Sequence, residues 1–461
     1  MSASGEGSAR GQALFALASV AFLVVALTLL DRAGPRAPAL LAAGDAPSGA
    51  WICPHGGGPD LSVVLFLANP GEETATVRVT QLGAEAAGDP MRYDVPGGAT
   101  VRVNLPPGGR GDATSVEFFD GWVGAGWVSF TDAGAAAEPC AAGASQRWSL
   151  ADGSTELVGE ESYVVVTNPF SGQAVMDVVL YSADLPPVRH SDLTDLVVPA
   201  RRSIALHLNK WLKGEPVVAT TLDVSVGRVA AASLVVSDRT TVRSAIGWTE
   251  PATGAWFPTM KGSGQNELVL LSTASGSIRF GATSLSQDQP RPAGGLTEQE
   301  HGPTAARAYA VPEEAGPAAV RLFTLEGALV SGALRVSGPG TDPGSTGGSV
   351  SASDAWVLLP ASAQVSADPG AVLVNDGDVA VVASVELLPR EGGTSPSSVT
   401  ITVPPHATAA VPPDLWASAP GSALVVRADG PIVALSASTS PGPRDAESFA
   451  LSMGVPLALL P

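Results

Sequence analysis

The sequence predicts an all-β protein, with an N-terminal transmembrane helix followed by four tandem immunoglobulin-like β-sandwich copies. Three observations lead there. One pattern of tryptophan, turn and alternating apolar residues recurs four times. Its runs alternate with period two, which marks a strand with one face buried. Past residue 50 no stretch shows the spacing of a long amphipathic helix.

Residues 1–11 read as a cytoplasmic tail. Gln12 to Leu30 then carries no charge and is dominated by Ala, Leu, Val and Phe. Nineteen residues at ~1.5 Å each span about 28 Å, close to a bilayer core. A cleaved signal peptide has a shorter apolar region and a nearby small-residue site. Ala37-Pro38-Ala39 lies well past the run, so a retained, single-pass signal anchor is the reading. Residues 31–49, rich in Ala, Pro and Gly, form a linker that holds the rest off the membrane.

Four copies follow, at 50–146, 147–254, 255–354 and 355–461. Each opens with a tryptophan: Trp51, Trp148, Trp256 and Trp356, spaced 97, 108 and 100 residues apart. A β-rich run then ends in turn chemistry at Asn69-Pro70-Gly71, Asn168-Pro169 and Asn375-Asp376-Gly377, with Ser272 in the third copy. Alternating strands come next, such as Ala75, Val77, Val79 and Ala174, Met176, Val178, Leu180. A hydrophobic-Pro step follows at Val95-Pro96, Val198-Pro199 and Val403-Pro404. Trp211 and Trp416 each lie 12 residues past that proline, in loops. A glycine and a run of small and β-branched residues close each copy, as in Gly227-Arg228-Val229-Ala230. Short strands separated by turns suit a β-sandwich, with the tryptophan as core filler. The alternative is a β-propeller, each copy making two blades. Val455-Pro456-Leu457 resembles a fifth tryptophan-led strand, which counts against closure into a ring. The third copy is the most degenerate.

The string Trp148 to Thr155, then Asn168-Pro169, then Val198-Pro199-Ala200-Arg201-Arg202 resembles a repeat of secreted or surface-attached, chiefly actinobacterial proteins. That family is of unknown function. The resemblance implies location and architecture and carries no catalytic residues.

Composition limits function. A net charge of −19 opposes nucleic-acid binding, which needs clustered cations. Two cysteines in a translocated chain are most simply one disulfide, Cys53–Cys140. Such a bridge is worth about 4–5 kcal/mol by loop entropy. The five histidines lack metal-ligand spacing and read as surface or loop side chains. No Gly-x-Ser-x-Gly or Ser-x-x-Lys motif is present. Adjacent glutamates such as Glu160-Glu161 point to opposite faces of a strand, a poor arrangement for acid/base work. Arg110-Gly111-Asp112 sits in a Gly/Pro-rich loop and reads as a chance tripeptide. The expectation is a non-enzymatic envelope scaffold or interaction protein without cofactor or metal. Its partners would be the membrane, through the N-terminal helix, and an envelope protein or polysaccharide. Carbohydrate binding is the alternative, with Trp211 and Trp416 as exposed contacts.

Overall fold

The structure, a computed structural model, describes residues 48–457 apart from 133, 238–240, 260–264, 288–289, 312–317, 338–343, 364–367, 392–396, 418 and 442–446. The anchor segment, tail and most of the linker lie outside the described residues. No helix among the described residues is long and apolar enough to cross a membrane.

The first copy contributes β1 (Gly49–Cys53), β2 (Ser62–Asn69), β3 (Ala75–Leu82), β4 (Met91–Val95), β5 (Ala99–Asn104), β6 (Ala113–Phe119), β7 (Gly124–Phe130) and β8 (Ala135–Pro139). The second contributes β9 (Arg147–Leu150), β10 (Glu160–Asn168), β11 (Ala174–Tyr181), β12 (Leu196–Val198), β13 (Arg202–His207), β14 (Ala219–Val226), β15 (Ala230–Ser237) and β16 (Thr241–Ile246). The third contributes β17 (Gly254–Thr259), β18 (Gln265–Ser272), β19 (Ile278–Leu285), β20 (Arg291–Pro292), β21 (Gln299–His301), β22 (Ala305–Val311), β23 (Ala318–Thr324), β24 (Ser331–Ser337) and β25 (Gly344–Thr346). The fourth contributes β26 (Ser353–Leu358), β27 (Asp368–Asn375), β28 (Val381–Leu388), β29 (Ser398–Val403), β30 (Ala407–Ala410), the long β31 (Ala423–Pro441), β32 (Glu447–Met453) and β33 (Val455–Pro456).

The chain is all-β, with antiparallel sheets, and the same strand order returns in each copy. The first copy pairs β1-β6-β3-β4 and β5-β2-β7-β8. The second repeats this as β9-β14-β11-β12 and β13-β10-β15-β16. In the third the fourth strand is split into β20 and β21, both paired with β19. In the fourth, β31 serves both sheets. This partition corrects the immunoglobulin-like expectation. There the first strand joins the sheet of the second and the sixth pairs with the seventh; here the first pairs with the sixth.

Within a copy the two sheets face each other across an apolar core. In the second, Trp148, Met176 and Leu222 of one sheet meet Val164, Val166 and Ala231 of the other. The outer faces are covered as well. Val179, Tyr181 and Ala219 of the second copy pack on Val269, Leu271 and Ala333 of the third. The third packs on Val372, Val374, Val433 and Leu435 of the fourth. Val357, Leu388 and Val425 of the fourth share a core with the first, and Leu61 and Ala136 of the first pack on Val165, Leu234 and Val242 of the second. The copies therefore close a circuit and belong to one compact unit, residues 46–460. At its centre the edge strands β8, β16, β25 and β32 pack in turn against one another. This cyclic stacking departs from a string of independent sandwiches.

Two-faced burial explains the sequence of the second and seventh strands. Val63 to Ala68 is an unbroken apolar run, and every residue of it is buried. A strand covered on both faces has no reason to alternate. The third strand of the fourth copy, β28, does alternate: it is buried at Val381, Ala383 and Val385 and exposed between them.

The extra tail segment has a place. In each copy the opening strand is flanked by the segment that opens the next: Ile52 bridges Ala141, Ser149 bridges Trp248 and Trp256 bridges Ser349. In the fourth copy β33 takes that place, and it pairs Val455 and Pro456 with Val357 and Trp356. The fifth tryptophan-like strand thus completes the last copy and does not prevent closure.

Candidate functional site

The recurring residues are absorbed by the fold. At the end of the second strand, the buried Asn168 side chain donates through Nδ2 to the carbonyls of Gly172, Val198 and Pro199, at 2.8, 3.1 and 3.1 Å. Its Oδ1 accepts from the Phe170 N–H at 3.1 Å. One amide thereby fastens the turn to the hydrophobic-Pro step. Asn375 repeats this with Val379, Val403, Pro404 and Gly377, and Asn69 with Glu73, Val95 and Gly71. The opening indoles do similar work. Trp51, Trp148 and Trp356 donate to the carbonyls of Val123, Val229 and Ile432, just before or within the closing run.

The third copy breaks both rules. Ser272 accepts only a local bond, from Ala274 N–H at 3.3 Å. Trp256 lies on the opposite face of its strand, because Ala255 and Phe257 face the core. Its indole reaches Asp376 of the fourth copy at 3.3 Å.

Cys53 and Cys140 form the expected disulfide, with Cα atoms 4.4 Å apart. The two tryptophans expected as exposed contacts are corrected. Trp416 is 2 % exposed and donates to the Ser422 carbonyl at 2.5 Å. Trp211 is half-buried against the second copy's core. Their equal offset reflects an equivalent packing position, which removes Trp416 as a platform for stacking a sugar and leaves Trp211 partly covered.

The histidines also divide differently from expectation. His55 is buried, held by the Gly56 carbonyl and, at 2.8 Å, by Thr114 Oγ1; burial pulls its pKa down to about 4. His301 occupies the register position of Val198 and Val403, bonded to Tyr309 Oη at 2.9 Å and the Ala305 carbonyl at 3.0 Å. No metal-ligating group occurs among the described residues. The Arg110-Gly111-Asp112 tripeptide is engaged at the boundary between copies one and two. Arg110 pairs with Asp60 at 3.1 Å and covers the Tyr163 ring, and Asp112 accepts from Gln81.

Two cavities are large enough to bear on the question of a ligand. A depression of about 690 Å³ opens where the copy junctions converge. It is lined by Trp51, Trp148 and Trp248 together with junction backbone. All three indole N–H groups are bonded internally, to Val123, Val229 and Gly347.

The second cavity, about 540 Å³, lies between the second and third copies and is strongly charged. Arg335, from β24, is fully engaged: Nε to Asp152 at 2.6 Å, Nη1 to the Pro216 carbonyl at 3.0 Å and Nη2 to the Gly153 carbonyl at 2.6 Å. Arg243, from the edge strand β16, is not. Its nearest carboxylates, Asp152 and Glu160, stand at 3.7 and 3.6 Å. Burial alone would raise the Asp152 carboxyl, but the charges of Arg243 and Arg335 outweigh it and hold the pKa below the usual range. Nearby, the wholly buried Glu138 of β8 is pushed well above the carboxylate range by burial. Glu160, Glu267 and Asp184 each face a guanidinium, of Arg243, Arg335 and Arg307. Such pairing suits recognition more than proton transfer. Local sequence spacing did not signal this cluster, since its members come from strands far apart in the chain.

A family of unknown function (DUF5719) matches residues 120–283, from the end of the first copy into the third. No curated protein matches. Among solved structures, the tetra-tandem repeat in the extending region of a large adhesion protein is aligned over 85% of this chain and 93% of that one. Its identity is 9% and its TM-score 0.11, too low to bear on the fold.

Proposed function

We propose that this chain is a non-enzymatic scaffold or interaction protein of the cell envelope, held outside the membrane by the Gln12–Leu30 segment. The observation that carries this reading is that the recurring asparagines and core tryptophans spend their polar atoms inside the fold. What is left for function is the surface of the closed circuit. The disulfide supports an oxidising compartment, because such bridges persist outside the cytosol. In-cell crosslinking of the tagged full chain tests the role: capture of one envelope protein at the expense of cytosolic ones is expected, and crosslinks to cytosolic proteins alone would refute it. Reporter fusions after residue 50, active only outside the cytoplasm, test the topology, and silence of those fusions would overturn it.

A further inference from the structure

We propose that the cleft between the second and third copies docks a basic, aliphatic-flanked peptide segment of a partner protein. This rests on the interaction-protein reading and names its surface. Three independent observations point to a ligand.

The first is Arg243. Its side chain is 8 % exposed and lines the cleft, yet Nε and one terminal nitrogen lack an acceptor. Carboxylates at 3.6–3.7 Å supply charge but lie beyond good hydrogen-bond geometry. A buried donor without an acceptor is costly, and a peptide carbonyl entering the cleft would supply one.

The second is charge. Asp152, Glu156, Glu160, Asp184 and Glu267 surround Arg243, Arg307 and Arg335, leaving carboxylates in excess. Glu267 and Asp184 are 48% and 84% exposed and stand at the mouth. An anionic ligand would be repelled, whereas a lysine or arginine of the partner would find free carboxylate oxygens.

The third is the rim. The turn into β10, made possible by Gly159 at φ 88°, lifts Leu157 and Val158 into solvent, 60% and 98% exposed. Leu185, beside Asp184, is 46% exposed. These exposed aliphatic side chains give a partner apolar area to bury beside the desolvated arginine. A saccharide site would favour aromatic faces, and this rim has none.

The test uses the purified full chain against a displayed random-peptide library. Enrichment of Lys or Arg beside aliphatic residues is expected. Binding of the enriched peptides should fall at least about tenfold in Glu267→Lys and Leu157→Ser. Both positions are exposed, at 48% and 60%, so folding is preserved and can be checked by the melting transition. A library without basic enrichment, or peptides indifferent to both substitutions, would overturn the docking proposal. So would a neutral-glycan array whose binding is abolished by the same variants. In cells, a photocrosslinker at Leu157 should trap the envelope partner and one at Val379 should not. A partner trapped only from Val379 sinks the cleft and leaves the wider reading standing. Absence of any crosslink to an envelope protein, from either site or in the tagged-chain experiment, sinks the wider reading.

Discussion

The second and third copies share one strand order but are fastened differently. In the second, one buried asparagine ties a turn to the next strand's end, and one indole ties the opening strand to the closing run. In the third, serine replaces the asparagine, the fourth strand splits in two and a histidine bonded to a tyrosine fills a valine's place. The topology survives the loss of both fasteners. It follows that strand order is held by burial on both sheet faces, while the hydrogen-bonded fasteners add local rigidity. The neighbours supply what the third copy lacks, since its core continues into the fourth.

The sharpest way to break this comparison is covalent. Only the first copy closes its opening strand with a disulfide; the others rely on backbone bridges at the same place. Replacing Cys53 and Cys140 with serine is expected to cost about 4 kcal/mol in denaturant unfolding. A loss below about 1 kcal/mol would mean that ring closure already supplies the constraint.

Acid should separate the copies next. The folded-state pKa of His55 lies at about 4, below the usual 6.5. The unfolded chain therefore binds more protons in that window. Stability is present above pH 6.5 and is lost as pH falls toward 4, by about 3 kcal/mol. His301 is shifted the same way by burial. His55→Gln and His301→Val should each flatten the acid limb of the stability profile. An unchanged profile in both variants would exclude these residues as its origin.

A smaller effect is expected at the turns. Asn168→Ala leaves buried carbonyls short of a donor and should cost about 2 kcal/mol, whereas Ser272→Ala should cost less than about 0.5 kcal/mol. Equal losses would contradict the difference in fastening. A weaker effect than at Asn168 is expected for Trp148→Phe, about 1 kcal/mol, read as faster amide exchange at the start of β15.

The periodic features of the sequence were legible because they report burial. The alternating runs at Ala75, Val77, Val79 and at Val381, Ala383, Val385 are third strands with one face inward. The cysteine pair was legible because only one pairing exists. Cyclic packing was harder to see. Val63 to Ala68 shows that both faces are covered, but not by which copy. Trp211 and Trp416 misled because an equal offset marks an equivalent position, which here lies inside. The charged cleft left one trace that spacing rules pass over: Arg243 and Arg335 interrupt otherwise apolar or small-residue strands.

The tail strand β33 has a consequence for how such a molecule can evolve. It occupies the slot that another copy's opening segment would fill, and the fourth copy already meets the first through Thr100, which bonds Leu388 and Ala423. A string of modules can lengthen by duplication. A closed circuit has no free end at which an added module could be joined without opening the seam. The number of copies is therefore locked, and a quarter of the ring can diverge, as the third has, while the others hold its shape.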